Sequence, residues 1–479
     1  MSWQFQQIPN PVGLYTANGQ PWTPHHVGLA PAAADLFVCA VGNQLHFAYI
    51  AALGIVQDWE FDGTSGGELQ QINNPSGFGP GVQGEFVACP QATTNAAWPS
   101  SGSPSSGLSV CPFGDQLHFA FINGEFLTGN SNGTIQDCWS DGTGQWNVQQ
   151  INLGGRTDGP PAADGLSVCA FGDQLHFAYL GTNGTVWDCW YDGGAGFVLD
   201  RWNLQQINNK QINADAMTDG PPAAGGLSVC TFGNQQHFAY LDANGSIWDC
   251  WYDGSWNLQQ INNKQINNGA RTAGPPADRW VSVCAFGDQL HFAYTDVDGT
   301  VHDCWVDGTG NWNLQQINLG GRTGGPSAAG RVSVCAFDDL LHFAYVDDNR
   351  SIQDCWVDGT GNGNVQQINN GALTAAPPAV WGERLLVCAF GDQLHFAYLD
   401  GTPCPSDNEA SCGNIWDCWW QPEPNPCQYW LDQIQNLSPG DFNTPKEYEQ
   451  ALAYYREKLK DCLRAHGVPI PPEPPKPGM

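Results

Sequence analysis

The sequence predicts an all-β fold, a seven-bladed β-propeller of four-stranded antiparallel blades, followed by a short C-terminal α-helix. The main observation is that His-Phe-Ala-Tyr, or a close variant, occurs seven times in 479 residues, centred on His46, His118, His176, His237, His291, His342 and His395. Each copy lies in the same longer pattern of four short apolar or alternating runs separated by turn residues. Four-stranded units that repeat at about 50 to 60 residues are typical of propeller blades, so seven copies predict seven blades.

The third copy shows the four predicted strands most clearly, at 166–171, 174–180, 185–191 and 202–207. Phe-Gly-Asp separates the first two runs, and Asn183-Gly184 separates the second and third, which is a strong hairpin signal. No pattern for a crossover helix lies between the runs, so neighbouring strands are expected to pair antiparallel.

The ring has to be closed, because an open ring would expose sheet edges that invite aggregation. Two segments could supply the missing fourth strand of the last blade. Trp3-Gln4-Phe5-Gln6-Gln7-Ile8 precedes the first blade and matches the fourth-strand pattern Trp-Asn-Leu-Gln-Gln-Ile, while residues 429–434 follow the last third strand. The closer match favours the N-terminal strand, over about residues 2–9, as the one that closes the last blade.

The repeats end near residue 436, so the predicted domains are a propeller over 1–436 and a C-terminal segment over 437–479. Thr444, Pro445 and Glu447 form a helix-start signal, and the predicted helix covers about 444–466 before a Pro-rich tail. Its apolar stripe is Tyr448, Leu452, Tyr455, Leu459 and Leu463. The stripe indicates that the helix packs on the propeller rim, or alternatively that it mediates oligomerisation or binds a partner.

Three insertions interrupt the repeat, at 74–107, 402–414 and 421–428. Loops on a rigid scaffold are where specific functions tend to lie.

Composition restricts the partners of the chain. The chain carries 16 basic and 47 acidic residues, a net charge of −31, which argues against nucleic acid and anionic membranes and favours neutral or cationic ligands. No apolar run is long enough to span a bilayer, so membrane insertion is not expected. The N-terminus lacks the pattern of a signal peptide, which indicates a cytoplasmic protein or one exported without a classical signal.

The 18 cysteines follow the repeat, with one in each first strand and one in most third strands. First and third strands are two ladder spacings apart, about 9.5 Å, which is too far for a disulfide, so these residues are expected to be buried thiols. Cys404, Cys412 and Cys427 are better disulfide candidates, although the sequence leaves their pairing open, and Cys89 and Cys462 have no obvious partner. No Cys-x-x-Cys pair exists and histidines occur once per blade, so neither a metal nor a cofactor is expected.

A histidine and an aspartate recur in each blade and are predicted to lie on one buried face, where they should hydrogen-bond. We interpret them as structural ties: His176 with Asp188, His237 with Asp249, His291 with Asp303, His342 with Asp354, and His395 with Asp417. The alternative is a pocket between blades lined by tryptophan. A catalytic pair is disfavoured, because the pair recurs without a unique nucleophile nearby, and no catalytic residue is proposed.

The loop after the fourth strand carries an arginine in three copies: Arg156, Arg271 and Arg322. The loops that lead into blades four and seven have Met217 and Leu373 at this position instead. Arginine offers several fixed donors suited to vicinal hydroxyls or carboxylates, and tryptophan rings can stack on the apolar face of a sugar. The candidate ligand-binding tryptophans are Trp187, Trp190, Trp248, Trp251, Trp305, Trp356 and Trp416. An equally weighted alternative is that each arginine ties down its own loop.

The pattern Ile/Val-x-Asp-x-Trp-x-Asp-Gly followed by Trp, as in residues 247–254 with Trp256, resembles the blade of fungal fucose-binding propeller lectins and related bacterial propeller lectins. The resemblance extends from about residue 35 to 430 and implies sugar sites between adjacent blades, formed by Arg, an acidic residue and Trp or Tyr. The chain departs from the fungal family, which has six blades, places its Arg and acidic ligands in strands, and lacks the His and Cys pattern.

The preferred hypothesis is therefore a non-catalytic, multivalent carbohydrate-binding protein, a lectin that binds glycans and favours neutral sugars. The alternative is a protein-interaction scaffold that uses the propeller face or the C-terminal helix, with homo-oligomerisation through that helix as one form. A propeller glycosidase or lyase ranks third. The sequence leaves open the identity of the sugar, the number of working sites and the oligomeric state.

Overall fold

The structure of the protein, a computed structural model, describes residues 2–8, 36–51, 55–62, 68–72, 107–124, 131–140, 146–193, 202–357, 362–380, 385–400, 414–421, 434, 437–438 and 444–465. Apart from their end residues, the three predicted insertions lie outside the described residues. The same holds for Cys89, Cys404, Cys412 and Cys427, and for the alternative closing strand at 429–434 except its last residue.

The predicted fold class is confirmed, because the described strands form seven four-stranded antiparallel sheets. The first strand of the chain is β1 (Ser2–Gln7). Blade one is β2 (Leu36–Val41), β3 (Gln44–Ala51), β4 (Ile55–Phe61) and β5 (Glu68–Gln71). Blade two is β6 (Leu108–Phe113), β7 (Gln116–Gly124), β8 (Ser131–Ser140) and β9 (Trp146–Gln150). Blade three is β10 (Ala162–Phe171), β11 (Gln174–Gly181), β12 (Val186–Asp192) and β13 (Trp202–Gln206).

Blade four is β14 (Gly225–Phe232), β15 (Gln235–Leu241), β16 (Ile247–Tyr252) and β17 (Trp256–Gln260). Blade five is β18 (Val281–Phe286), β19 (Gln289–Thr295), β20 (Val301–Val306) and β21 (Trp312–Gln316). Blade six is β22 (Ala328–Phe337), β23 (Leu340–Asp347), β24 (Ile352–Val357) and β25 (Gly363–Gln367). Blade seven contains β26 (Leu385–Phe390), β27 (Gln393–Leu399) and β28 (Ile415–Gln421).

The fourth strand of blade seven comes from the other end of the chain. Strand β1 pairs with β28, and the backbone N–H of Ile8 donates to the carbonyl of Ile415 at 2.9 Å. The first strands of consecutive blades contact one another, and β26 contacts β2, so the blades form a closed ring.

Tight hairpins set the register within each blade. In blade three, the Asn183-Gly184 turn places His176 opposite Trp190 and Ala178 opposite Asp188. Gly184 has φ of +69°, a left-handed conformation that glycine adopts without strain. Its carbonyl accepts the N–H of Ala223 at 2.7 Å, and the equivalent bond in blades four to six likewise ties the hairpin tip to the loop that leads into the next blade.

The core lies between blades rather than within them. Because side chains alternate along a strand, each blade has an aromatic face and a His/Asp face. In blade three, Phe177 and Tyr179 on the aromatic face pack against Ala120, Ile122 and their neighbours on blade two. The same arrangement joins blade seven to blade one, where Ala397 and Ile415 pack with Phe47 and Tyr49.

The first- and third-strand cysteines of the described residues remain thiols, as predicted from the strand spacing. The third-strand cysteines are buried, as expected of small core residues, whereas the first-strand cysteines other than Cys111 are only half-buried. Cys462 is different, because it is in a disulfide, which corrects the expectation that it has no partner.

The chain divides into two compact units, one over Trp3–Trp419 and one that includes the helix α1 (Pro445–Ala465). The predicted cap forms, as Thr444 Oγ accepts the N–H of Glu447 at 3.2 Å. Tyr448, Leu452 and Tyr455 are half-buried. None of the helices that the structure describes combines the length and apolarity needed to cross a membrane. The domain boundary at residue 436 stays a prediction.

Candidate ligand-binding site

A buried histidine and aspartate hydrogen-bond in every blade. The distance from His Nδ1 to the nearest carboxylate oxygen lies between 2.8 and 3.0 Å in all seven pairs. In blade three, His176 lies on β11 and Asp188 on the neighbouring strand β12, offset by two positions of the ladder. The two side chains therefore satisfy each other in a site closed to water, which is the contact that the sequence predicts.

A tryptophan stacks on this histidine in six blades. The ring centroids lie 5.4 to 5.9 Å apart, and the planes are within 24° of parallel. The stacked rings are Trp139, Trp190, Trp251, Trp305, Trp356 and Trp419. Four of the predicted ligand-binding tryptophans thus have one ring face covered by imidazole.

The fourth strand adds a glutamine to the pair. In blades two to six, the first glutamine of the Gln-Gln-Ile-Asn motif donates from Nε2 to the aspartate at 2.9 to 3.1 Å. In blade three this is Gln205, which lies opposite Asp188 in the ladder. Because the amide nitrogen donates to the carboxylate, the amide oxygen faces away from the aspartate and can accept a hydrogen bond there.

The three loop arginines bind that amide oxygen. Nε of Arg156 donates to Oε1 of Gln149 at 2.7 Å, Arg271 does the same to Gln259 at 2.9 Å, and Arg322 to Gln315 at 3.0 Å. All three arginines are exposed. A continuous chain of hydrogen bonds therefore runs from an exposed guanidinium through glutamine and aspartate to a buried histidine.

The loop that carries each arginine is itself fixed. In the loop after β9, Asn152 is fully buried, and its Nδ2 donates to the carbonyls of Gly133 and Pro160 at 2.8 Å each. Thr157 Oγ donates to the carbonyl of Ile151 at 2.9 Å. The loop is thus held by hydrogen bonds on both sides of Arg156, which restricts where the guanidinium can lie. Such rigidity is what a preorganised binding group requires.

The predicted site residues divide into three groups. Trp251 and Trp305 share a blade with Arg271 and Arg322, and Trp139, which the sequence interpretation did not include, shares a blade with Arg156. Its third-strand position, equivalent to that of Trp190, was the signal that could have identified it. Trp190 and Trp356 lie in blades whose following loops carry Met217 and Leu373 in place of arginine.

The remaining three tryptophans lie on the opposite, aromatic faces of their blades. Trp187 Nε1 donates to Thr185 Oγ at 2.8 Å, and Trp248 and Trp416 donate to Asp242 and Asp400 at 3.0 Å. Trp187 packs in the cluster that joins blades two and three. Trp187 of blade three therefore lies at the interface with blade two, where the aromatic face of blade three meets the His/Asp face of blade two.

Blade one departs from the pattern. Glu60 occupies the position of the stacked tryptophan, and Trp59 lies on the other face, where it stacks on Phe61 at 5.7 Å. Burial raises the pKa of Asp58. Burial is the largest single influence on the pKa of His46 and would lower it, but the hydrogen bond to Asp58 and the negative charges of Asp58 and Glu60 together outweigh burial and raise that pKa.

The geometry defines a class: a propeller that repeats an exposed arginine above a buried polar network. The fold is similar to that of solved propeller lectins, as the resemblance in sequence predicted. The BP39L lectin from Burkholderia pseudomallei matches with a TM-score of 0.51 and 18% identity, over 82% of this chain and 95% of that one. At this identity the likeness establishes the fold alone.

Two further solved structures match less well. The SapL1 lectin in complex with α-methyl fucoside has a TM-score of 0.41 and 12% identity, over 74% of this chain and 100% of that one. The six-bladed lectin of Aleuria aurantia, described with a novel mode of fucose recognition, has a TM-score of 0.41 and 11% identity, over 74% and 98%. No protein-family model and no curated protein matches the chain.

Proposed function

We propose that this protein is a non-catalytic, multivalent carbohydrate-binding protein with sites at the interfaces that follow blades two, four and five. The observation that carries the proposal is the repeated chain from arginine through glutamine and aspartate to histidine. A guanidinium carries five N–H donors in a fixed planar arrangement, and the bond from Nε to glutamine orients that plane. A planar donor group held in this way suits the vicinal hydroxyls of a sugar.

Charge supports neutral sugars as ligands. The chain has a net charge of −31, so anionic glycans would be repelled at long range even where a single arginine attracts them. Three equivalent sites on one ring would engage a glycan-coated surface together. Such avidity exceeds the affinity of a single site by about 10²- to 10⁴-fold without any new contact.

Catalysis is not part of the proposal. The His/Asp pairs are buried and recur in every blade, and in blades two to six they contact both a tryptophan and a glutamine, which suits a structural role for His176, Asp188 and their equivalents. A general acid or nucleophile has to reach its substrate, and a buried group that is hydrogen-bonded on its reactive side does not.

A glycan array tests the proposal with the full chain and an Arg156→Ala, Arg271→Ala, Arg322→Ala triple variant. We expect the wild-type protein to bind neutral glycans and the triple variant to lose binding while its circular dichroism is unchanged. The matched control compares Arg271→Ala with Arg279→Ala. Both arginines are exposed, but Nε of Arg279 lies 3.6 Å from Oδ2 of Asp278 instead of bonding to a fourth-strand glutamine. Binding that survives in the triple variant, or that falls equally in the control, would overturn the arginine sites.

A protein-binding role is the second candidate, and one observation favours it. Several apolar side chains in the loops after the fourth strands are exposed, namely Leu153, Ile212, Ile266, Leu319 and Leu373. Exposed apolar groups gathered on one set of loops are typical of protein-binding surfaces. Absence of binding across a broad array would favour this role, with the stripe of α1 as the corresponding candidate for homo-oligomer contacts.

A further inference from the structure

Blade one contains a cluster of side chains that the other blades lack. One donor atom each from His46, Asp58 and Glu60 lies within 4.8 Å of the other two. His46 and Asp58 are 5% and 1% exposed, and Glu60 is half-buried. From these contacts we propose that blade one holds a divalent first-row metal ion, bound by the imidazole of His46 and the carboxylates of Asp58 and Glu60.

The cluster arises from one change in the repeat. Glu60 lies directly opposite His46 in the ladder, at the position where six blades place a tryptophan over the imidazole. A tryptophan there covers the histidine ring and supplies no ligand atom. A glutamate at the same position brings a second carboxylate to the histidine, so the replacement converts a stacked pair into a set of three donors.

The aspartate of this blade carries a second observation. Asp58 Oδ2 accepts from His46 Nδ1 at 2.8 Å, but Asp58 Oδ1 is buried and has no hydrogen-bond partner among the residues that the structure describes. In blade three, both carboxylate oxygens of Asp188 lie within 3.1 Å of His176 Nδ1, and Gln205 donates to one of them. A buried carboxylate oxygen without a partner is costly, and a bound cation would satisfy it.

The donor set indicates the class of metal. One imidazole nitrogen with two carboxylates suits Mn²⁺ or Zn²⁺, which accept mixed nitrogen and oxygen ligands. A site with one histidine and two carboxylates has neither the thiol pairs nor the clustered histidines that would mark a metal site in the sequence.

The experiment is a titration of the chelator-treated, full-length protein with Mn²⁺, followed by the loss of the free-ion signal in electron paramagnetic resonance. Manganese is the probe because its preference for carboxylate oxygen limits its binding to the many thiols. We expect one tight site per chain. Glu60→Trp, which restores the residue of the other blades, and the isosteric Glu60→Gln should each weaken the site by at least about tenfold.

A control and a second measurement keep the result decisive. Asp173→Asn removes an exposed carboxylate from blade three and should leave the tight site unchanged. Mn²⁺ should raise the melting temperature of the wild-type protein and not that of Glu60→Gln, because an ion that binds only the folded state stabilises it. No tight site in the wild-type protein, or an equally tight one in Glu60→Gln, would overturn the proposal. Glu60→Gln decides the matter if Glu60→Trp does not fold.

Discussion

Thr157 Oγ lies 3.3 Å from the sulfur of Cys189, which belongs to the next blade. The same contact joins Thr218 to Cys250, Thr272 to Cys304, Thr323 to Cys355 and Thr374 to Cys418. Each threonine follows a fourth strand and each cysteine lies on a third strand. The thiols are therefore part of the joints between blades, and their ionisation would disrupt these joints.

Alkaline pH is expected to destabilise the ring. Burial, with smaller contributions from Asp188, raises the pKa of Cys189 from 9.0 to about 12. Below pH 9 the thiol is protonated in both folded and unfolded chains, so its contribution to stability is complete. Between pH 9 and 12 only the unfolded chain loses the proton, so stability falls as pH rises, by on the order of 1 kcal/mol per pH unit for each such thiol.

Urea denaturation at pH 8, 9 and 10 measures this effect, with Cys189→Ala as the comparison. The variant lacks one titrating thiol and should show a shallower loss of stability with pH. A wild-type denaturation midpoint that stays constant over this range would contradict the prediction.

Leu340→Gln is expected to stabilise blade six by about 1 kcal/mol. In blade three, His176 Nε2 is 3.2 Å from Oε1 of Gln174, whereas Leu340 occupies that position in blade six. His342 Nε2 is accordingly buried with no partner among the described residues. Thermal denaturation of this variant, beside the reverse change Gln174→Leu, should shift in opposite directions. Equal shifts of the same sign would show that the bond is unimportant.

Gly245→Ala is expected to destabilise the protein by more than the backbone strain of about 1 to 2 kcal/mol. Gly245 has φ of +71°, and a Cβ there would clash with the carbonyl of Ala277 in the loop to the next blade. Gly233→Ala is the matched control, because Gly233 also has positive φ, +58°, but nothing lies within 4 Å of its Cβ position. The difference between the two variants in chemical denaturation isolates the clash, and equal losses would refute it.

Ile8→Ala is expected to cost about 2 to 5 kcal/mol, the usual range for a truncated core residue. Ile8 is fully buried in the cluster that joins blades seven and one. Phe5→Ala on the same strand should cost much less, since Phe5 is 41% exposed. Denaturation of the two variants compares them, and similar losses would mean that the closing strand is held by its backbone alone.

Met217→Arg is expected to add a binding site if the proposed function is correct. The blade before Met217 already has Gln205 bound to Asp188, and Met217 N donates to the carbonyl of Gln206, as Arg271 N does to that of Gln260. Calorimetric titration with a sugar that the array identifies should show one more site per chain than the wild-type protein. An unchanged stoichiometry would indicate that the arginine alone does not create a site.

The sequence predicts the fold well because each repeat carries its own turn signals. Counting outwards from Asn183 places His176 opposite Trp190, and the structure has that register. The series of hydrogen bonds that runs from histidine to arginine is harder to predict. Arg156 lies seven residues after Gln149, whereas Arg271 lies twelve residues after Gln259, yet both make the same bond. Spacing along the sequence cannot indicate that loops of different length return an arginine to one glutamine.

Blade one shows a second feature that the sequence alone does not predict. Glu60 interrupts the row of tryptophans in the alignment of repeats, but its importance depends on which residue lies opposite it. Only the pairing of β3 with β4 places Glu60 beside His46 and leaves Trp59 on the other face. The effect of a substitution within a repeat depends on which residue the neighbouring strand places opposite it.

The pairing of β1 with β28 also delays closure of the ring during biosynthesis. Strand β1 is made before β2 to β28, but it cannot form its ladder until the ribosome has produced Ile415. At about 5 to 20 residues per second, this wait lasts about 20 to 80 s. During that time six blades can assemble in order while the nascent chain carries a glutamine-rich strand without its partner. A chaperone that shields this strand would bind β1 early, although the pairing that it protects forms only after Ile415 has been made.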